Sequence, residues 1–311
     1  MRARSSLVAL AAAGALLASV GTATAEPVSQ ARLVAHFPLA SGRQPENITV
    51  DDSGSVYLTF SFARQIARVT ASGNVRVLAT LPAPAKANTP NLGKAFVGGI
   101  ARAHDGTLYV TYATGTPDLT GVWAVRPGGR PHRIAALPAD GLPNGLALDH
   151  RTGRLYVTDS VHGVIYRVSA RGGEATVWAK GDALKPNTFA GANGLKVHNG
   201  AVWATNLDKG TVLRIPVTAR GTAGPLRIRA TGMPSIDDFA FTGHGDTLLA
   251  ALDNDEVVLV RPDGTHTPVL TAADGLQTPT SVAVHGSTVY VPSAAYLTNK
   301  DPNLLRAHLS H

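Results

Sequence analysis

The chain has 311 residues, a formal net charge of +7, no cysteine and 5% aromatic residues. The lack of cysteine excludes disulfides, thiolate metal sites, iron–sulfur clusters and cysteine nucleophiles, so the core must carry stability alone. Basic residues stand singly (Arg64, Arg68, Arg76, Arg130, Arg154, Arg167, Arg171), without the aromatic-interleaved stripe of a nucleic-acid footprint. Loose attraction to anionic cell-wall polymer is the more natural meaning of that charge.

In chain order, Arg2 and Arg4 precede an apolar run, residues 7–20, that is too short to span a bilayer. Ala23-Thr24-Ala25 then supplies a small-x-small cleavage site. Residues 1–25 are expected to be an export signal, leaving a secreted mature chain, residues 26–311, with no membrane-length apolar run.

Beyond the leader the sequence repeats. Six times an apolar strand, a tight Gly turn and a second, usually aromatic-led strand follow one another: ENITVDDSGSVYLTF, GGIARAHDGTLYVTY, NGLALDHRTGRLYVTD, NGLKVHNGAVWATN, DDFAFTGHGDTLLAA and TSVAVHGSTVYVPS. The first-strand anchors Ile48, Ile100, Leu146, Leu195, Phe239 and Val282 are 52, 46, 49, 44 and 43 residues apart. Those intervals match one four-stranded propeller blade. Five units continue with two more strands joined by hairpin-turn residues such as ASGN and RPDGT. The sixth has no clear fourth strand, and residues 31–37 (ARLVAHF) read like the missing one. The expected fold is all-β: one six-bladed β-propeller domain, closed by pairing the N-terminal strand with the last blade, with a polar tail after Tyr296. Such closure leaves no open sheet edge.

In that architecture the residue two before each anchor rings one mouth of the central channel. In blade order the position holds Glu46, Gly98, Asn144, Asn193, Asp237 and Thr280, with Asp238 beside Asp237. Carboxylates and amide carbonyls in one narrow mouth suit a divalent metal, above all Ca²⁺, which takes six to eight oxygens in tolerant geometry. Without a cation the carboxylates would repel and at least one would keep a proton. Asn-Gly and Asp-Asp are also ordinary turn residues, but here four candidate ligands share one repeat phase.

Long loops gather over the same mouth (residues 81–94, 113–121 and 181–190), as binding loops on a rigid scaffold do. Phe60, Phe96, Tyr112 and Phe189 are candidates for an apolar substrate wall, or for ordinary core packing. Asp159 and Asn206 end second strands at this face, as partners of the site or as strand-end caps. His104, His150, His198, His244 and His285 fall in or beside the turns of the opposite face, one per blade, and read as turn residues. No HExxH helix, GxSxG elbow, Walker loop or dinucleotide fingerprint is present.

At the level of blades and of this axial set, the chain resembles the gluconolactonase/regucalcin (senescence marker protein) family, and its axial pattern is similar to the paraoxonase-type lactonases. The first likeness rests on Glu46 (PENITVD), Asn144 (PNGLALD) and Asn193 (GANGLKV). The second adds the Asp237-Asp238 pair. Gly-Pro is absent after Glu46, Asn193 replaces the Asp usually assigned as base, and Gly98 leaves blade two without a side chain. The resemblance implies a metal held by Glu46, Asn144, Asn193 and Asp237, acting in hydrolysis of a small lactone or ester. Asp238 or Asp237 would take the proton from water. Its rival is a non-catalytic extracytoplasmic propeller that binds a ligand or partner protein. A propeller lyase acting on a lactone-containing drug would want a mouth histidine, and none is expected there.

Overall fold

A computed structural model describes residues 27–310. The expected export signal lies outside them. Among the described residues, six four-stranded antiparallel sheets follow in sequence order, with three short 3-10 helices in the connections. Blade one is Pro45–Val50, Val56–Phe60, Gln65–Val69 and Val75–Thr80. The first strands of blades two to six are Phe96–Arg102, Pro143–Asp149, Ala192–His198, Ile236–Phe241 and Ala283–His285. The anchors of blades one to five lie within these strands, and Val282 immediately precedes the sixth.

Neighbouring blades bury their apolar faces against each other. Tyr156 and Ile165 of blade three, for example, pack in one cluster with Leu195, Val202 and Leu213 of blade four. Each blade is too thin to enclose a core of its own, so the cores form between blades and the ring stands as a unit.

Blade six is closed as expected. Val28–His36 pairs antiparallel with Asn303–Leu309, from Val28 opposite Leu309 to His36 opposite Asn303. The segment after Tyr296 differs from the expected polar tail. Residues 297–302 form a polar loop, but Asn303–Leu309 is the third strand of the blade, with Leu304, Leu305 and Leu309 buried. Its apolar residues follow a polar run too long for a hairpin turn, which hides the strand from repeat spacing. In the same blade the first strand is only three residues long, and Pro279 reaches Ser293 through an isolated bridge.

The first strands of blades one to five share one irregularity. Pairing with the second strand slips between Pro45 and Asn47, Val97 and Ile100, Pro143 and Leu146, Ala192 and Leu195, and Ile236 and Phe239. Each slip is a bulge of one extra residue, and each falls at the mouth position read from the sequence. A bulge bends the strand and re-aims its side chains.

A hydroxyl from the preceding blade holds the bulge carbonyl in four cases. Thr59 donates to Gly98 O at 2.7 Å, Thr111 to Asn144 O at 2.6 Å, Thr158 to Asn193 O at 2.5 Å and Thr205 to Asp237 O at 2.5 Å. Thr280 closes the ring by donating to Pro45 O at 2.9 Å. Blade five carries Ala251 at the threonine position, and its link to blade six is Ser281 Oγ to Asp238 Oδ2 at 2.7 Å.

These bonds should be measurable one at a time. Thr158→Val keeps shape but strands the buried Asn193 carbonyl, at a cost of about 1–3 kcal/mol. The urea midpoint should fall accordingly while the slope stays unchanged. An unaltered midpoint would mean that the hydroxyl ring adds nothing.

Candidate functional site

The bulges bring Glu46, Asn144, Asn193 and Asp237 to the floor of one cavity of about 350 Å³ at the near mouth of the channel. Gly145 and Gly194 allow this convergence. A Cβ on Gly145 would lie 2.2 Å from Asn193 O, and one on Gly194 would lie 2.4 Å from Asp238 Oδ1. These glycines serve the crowding of first strands near the axis rather than a turn.

Glu46 is 3% exposed, and its Oε2 accepts a 2.7 Å hydrogen bond from the Tyr296 hydroxyl. Burial, with smaller repulsion from Asp253 and Asp238, pushes its carboxyl up to about 8, against the relief that Tyr296 gives. Asp237 accepts from Asn193 Nδ2 at 2.9 Å. Burial first, and then Glu46, Asp253 and Asp238, hold it well above the usual carboxylate range. Asp253 follows blade five's second strand (Leu248–Leu252) and lines the same cavity. Burial and then neighbouring Asp255 push it up to about 7. Asp253 Oδ1 and Asn193 Oδ1 are buried without a hydrogen-bond partner.

The candidate ligand atoms are therefore all oxygen, and the carboxyls among them are anionic when ionised. That chemistry fits a hard divalent cation, and the orphaned buried Asn193 Oδ1 is what such an ion would satisfy. Among the described residues, no three His, Asp or Glu side chains are grouped to hold an ion by themselves. An ion here would need the amide oxygens of Asn144 and Asn193 as well.

The walls are apolar. Phe62, Phe96, Leu142, Phe189 and Leu297 line the cavity, with Phe189 and Leu297 largely exposed at the rim. Asn91 Nδ2 donates to Phe189 O at 2.6 Å and ties two of the long loops together. Lys94 is the one cation among the lining residues, with its Nζ 5.0 Å from the Phe62 ring centre.

Several expected participants stand elsewhere. Asp238 does not line the near cavity, so the base role expected of it is corrected. Strand alternation turns it down the channel, where both oxygens lie 2.6 Å from Lys196 Nζ. Asn47 Nδ2 and Ser281 Oγ complete its shell at 2.9 and 2.7 Å. These three donors occupy the carboxylate from the channel side. The split of Asp237 from Asp238 also removes the blade-five pair on which the paraoxonase-type likeness rested.

Tyr112 is buried in the blade-two core, its hydroxyl donating to Pro82 O at 2.7 Å. Phe60 packs edge-on against Phe37, 4.9 Å between ring centres. Asp159 accepts from the backbone N–H groups of Leu142, Val161 and His162, and Asn206 donates to Ala183 O and Lys185 O. Both are loop caps rather than substrate contacts. Phe96 and Phe189 do line the cavity. A Cβ on Gly98 would come within 2.8 Å of Thr111 Oγ1, so blade two has no room for a ligand there.

Two residues escaped the sequence reading. Asp253 sits one position beyond the strand ends represented by Asp159 and Asn206, and the acidic run Asp253-Asn254-Asp255-Glu256 was its only signal. Tyr296 arrives from the loop after the strand Thr288–Ser293, where no repeat phase predicts it.

Residues 55–235 match the family model described as "Repeat of unknown function (DUF6923)". The chain belongs to this family. No curated protein matches it. In structure, the chain is similar to the calcium-binding protein regucalcin from Agrobacterium tumefaciens, at 16% identity and TM-score 0.66, over 91% of this chain and 96% of that one. A gluconolactonase from Xanthomonas campestris aligns at 15% identity and TM-score 0.64, over 91% and 95%. Virginiamycin B lyase from Staphylococcus aureus aligns at 15% identity and TM-score 0.57, over 90% and 99%. At such identities the likeness is one of fold, the six-bladed propeller.

The raised carboxyls dictate how stability should vary with pH in chelator. Folded Glu46 and Asp253 hold protons that the unfolded chain gives up near 4.5 and 3.8. Their contribution is therefore full below those values and is lost as pH rises through about 7 and 8. Chelated protein should melt lower at pH 8.5 than at pH 5.5, and Glu46→Gln should flatten that fall. Melting curves that rise over this interval in both proteins would contradict the assignment.

Proposed function

We propose that the protein is an exported, divalent-metal-dependent hydrolase of a small lactone or ester. The observation that carries this reading is the convergence of Glu46, Asp237 and Asp253, all with raised carboxyl pKa values, beside orphaned amide and carboxylate oxygens under an apolar wall. Glu46, Asn144, Asn193 and Asp237 would hold the ion, most naturally Ca²⁺. When bound, it would supply Lewis-acid polarisation of the ester carbonyl and offset the carboxylate charge. The leader expected at residues 1–25 supports export, and the scattered positive charge supports loose association with anionic cell-wall polymer. Among the described residues, no helix is long and apolar enough to cross a membrane.

The chain's own residues divide the remaining work. Phe96, Phe189, Leu142 and Leu297 seat the apolar part of the substrate and exclude water from the floor. Asp253, near 7 and with a free Oδ1, is placed to take a proton from attacking water. It replaces Asp238 in that role. Tyr296 keeps a hydrogen bond on Glu46 Oε2, which fixes that carboxylate and leaves Oε1 for the cavity.

The crowded Gly98 favours a second reading, ligand binding without turnover, because blade two contributes no side chain to the chemistry. A panel of lactones and aryl esters, each with Ca²⁺ and with chelator, separates the two. Hydrolysis should require the ion, whereas binding without product formation would favour the second reading.

Glu46→Gln sharpens the test. An ion that binds only the folded state stabilises it by about 2.7 kcal/mol at a hundredfold excess over Kd. Wild type should melt several degrees higher in millimolar Ca²⁺ than in chelator. The variant should lose most of that difference, together with any lactonase activity. A full Ca²⁺ response in Glu46→Gln would overturn the axial site.

A further inference from the structure

The far end of the channel opens into a second cavity, of about 410 Å³, with a different character. Its walls are first-strand side chains, among them Ile48, Ile100, Leu146, Val197 and Val282. Among the described residues no Asp or Glu lines it, whereas Arg102 and Lys196 do. The Asp238 carboxylate, bound to Lys196, stands between this cavity and the near one.

Arg102 is the unusual group. Its Nε is buried without a hydrogen-bond partner, and its guanidinium carbon lies 5.7 Å from the Tyr57 ring centre. No ion pair engages it among the described residues. A buried, unmade guanidinium bond costs more than an ordinary hydrogen bond contributes, so the position calls for an anion. Lys196 commits two contacts to Asp238, and an ammonium carries three donors. At the rim, the His198 ring stacks on Phe241 at 3.7 Å and contacts Asp246 at 3.3 Å. Asp246 also accepts from Asn199 Nδ2, so it does not compete for Arg102.

We propose that this far cavity is a second ligand site, for an organic monocarboxylate with an aliphatic body. The guanidinium fork of Arg102 matches a carboxylate in plane and charge, and the Lys196 donor left over supports it. The Ile, Leu and Val walls take the aliphatic chain. One unpaired cation suits a single negative charge better than a phosphate dianion. The near cavity is floored by carboxyl and amide groups, so the two mouths present different chemistries.

Octanoate titrated calorimetrically into the exported protein tests the site. Saturable binding is expected, with octanol and inorganic phosphate each bound at least tenfold more weakly, the loss of one charge-assisted hydrogen bond. Arg102→Gln should weaken octanoate by about tenfold or more at an unchanged melting temperature. Should that variant fold poorly, Val284→Glu, which sets a carboxylate in the half-buried wall, should abolish binding. Glu46→Gln at the near mouth should leave the octanoate affinity as in wild type. Absence of saturable binding, equal affinity in folded Arg102→Gln, or loss of binding in Glu46→Gln would each overturn the proposal.

Discussion

The hydroxyl-to-carbonyl bond between adjacent blades is the contact on which the site depends. A bulge frees a backbone carbonyl from the ladder, and that carbonyl must find a donor away from water. Thr59, Thr111, Thr158 and Thr205 supply it across the blade boundary, so each blade fixes the mouth of the next. β-Branched threonine suits a strand, is stiff at χ1 and keeps its hydroxyl pointed. The floor of the cavity therefore inherits its geometry from the ring rather than from the loops above it.

Because the bulges also crowd the axis, the second bulge position takes glycine in blades two, three and four. The space so left is filled by Asp238, Asn47, Ser281 and Lys196, a polar plug beside the aliphatic first-strand residues of the far cavity. Buried ion pairs of this kind add little net stability, yet removing one partner strands the other. The plug's consequence is compartmental. Asp238, Asn47 and Ser281 line neither cavity and stand between the two.

The ring and its phase were legible because propeller blades repeat in sequence as they repeat in space. One period located all six first strands, and the residue two before each anchor does reach a bulge or its equivalent. Asp253 and Tyr296 were not legible for the complementary reason. The first enters one residue past a strand end, where Asp159 and Asn206 drew attention to the wrong phase. The second comes from a loop outside any period. Asp238 misled because adjacency in sequence suggests adjacency in function, whereas strand alternation turns Asp237 into the near cavity and Asp238 away from it, toward Lys196. The threonines were visible in YLTF, YVTY, YVTD and WATN, but their partners lie in the next blade and only the assembled ring names them.

The closing blade joins residues 28–36 to residues 303–309, nearly the full length of the chain. Contacts of such sequence separation are slow to form, since the loop they close is almost the whole domain. No early fragment can complete the ring, so the axial carboxylates stay apart and solvated until the last strand docks. Their protonation cost therefore arises in a single late step. An emerging chain would remain open-edged, and free of a formed site, until its C-terminal strand is available.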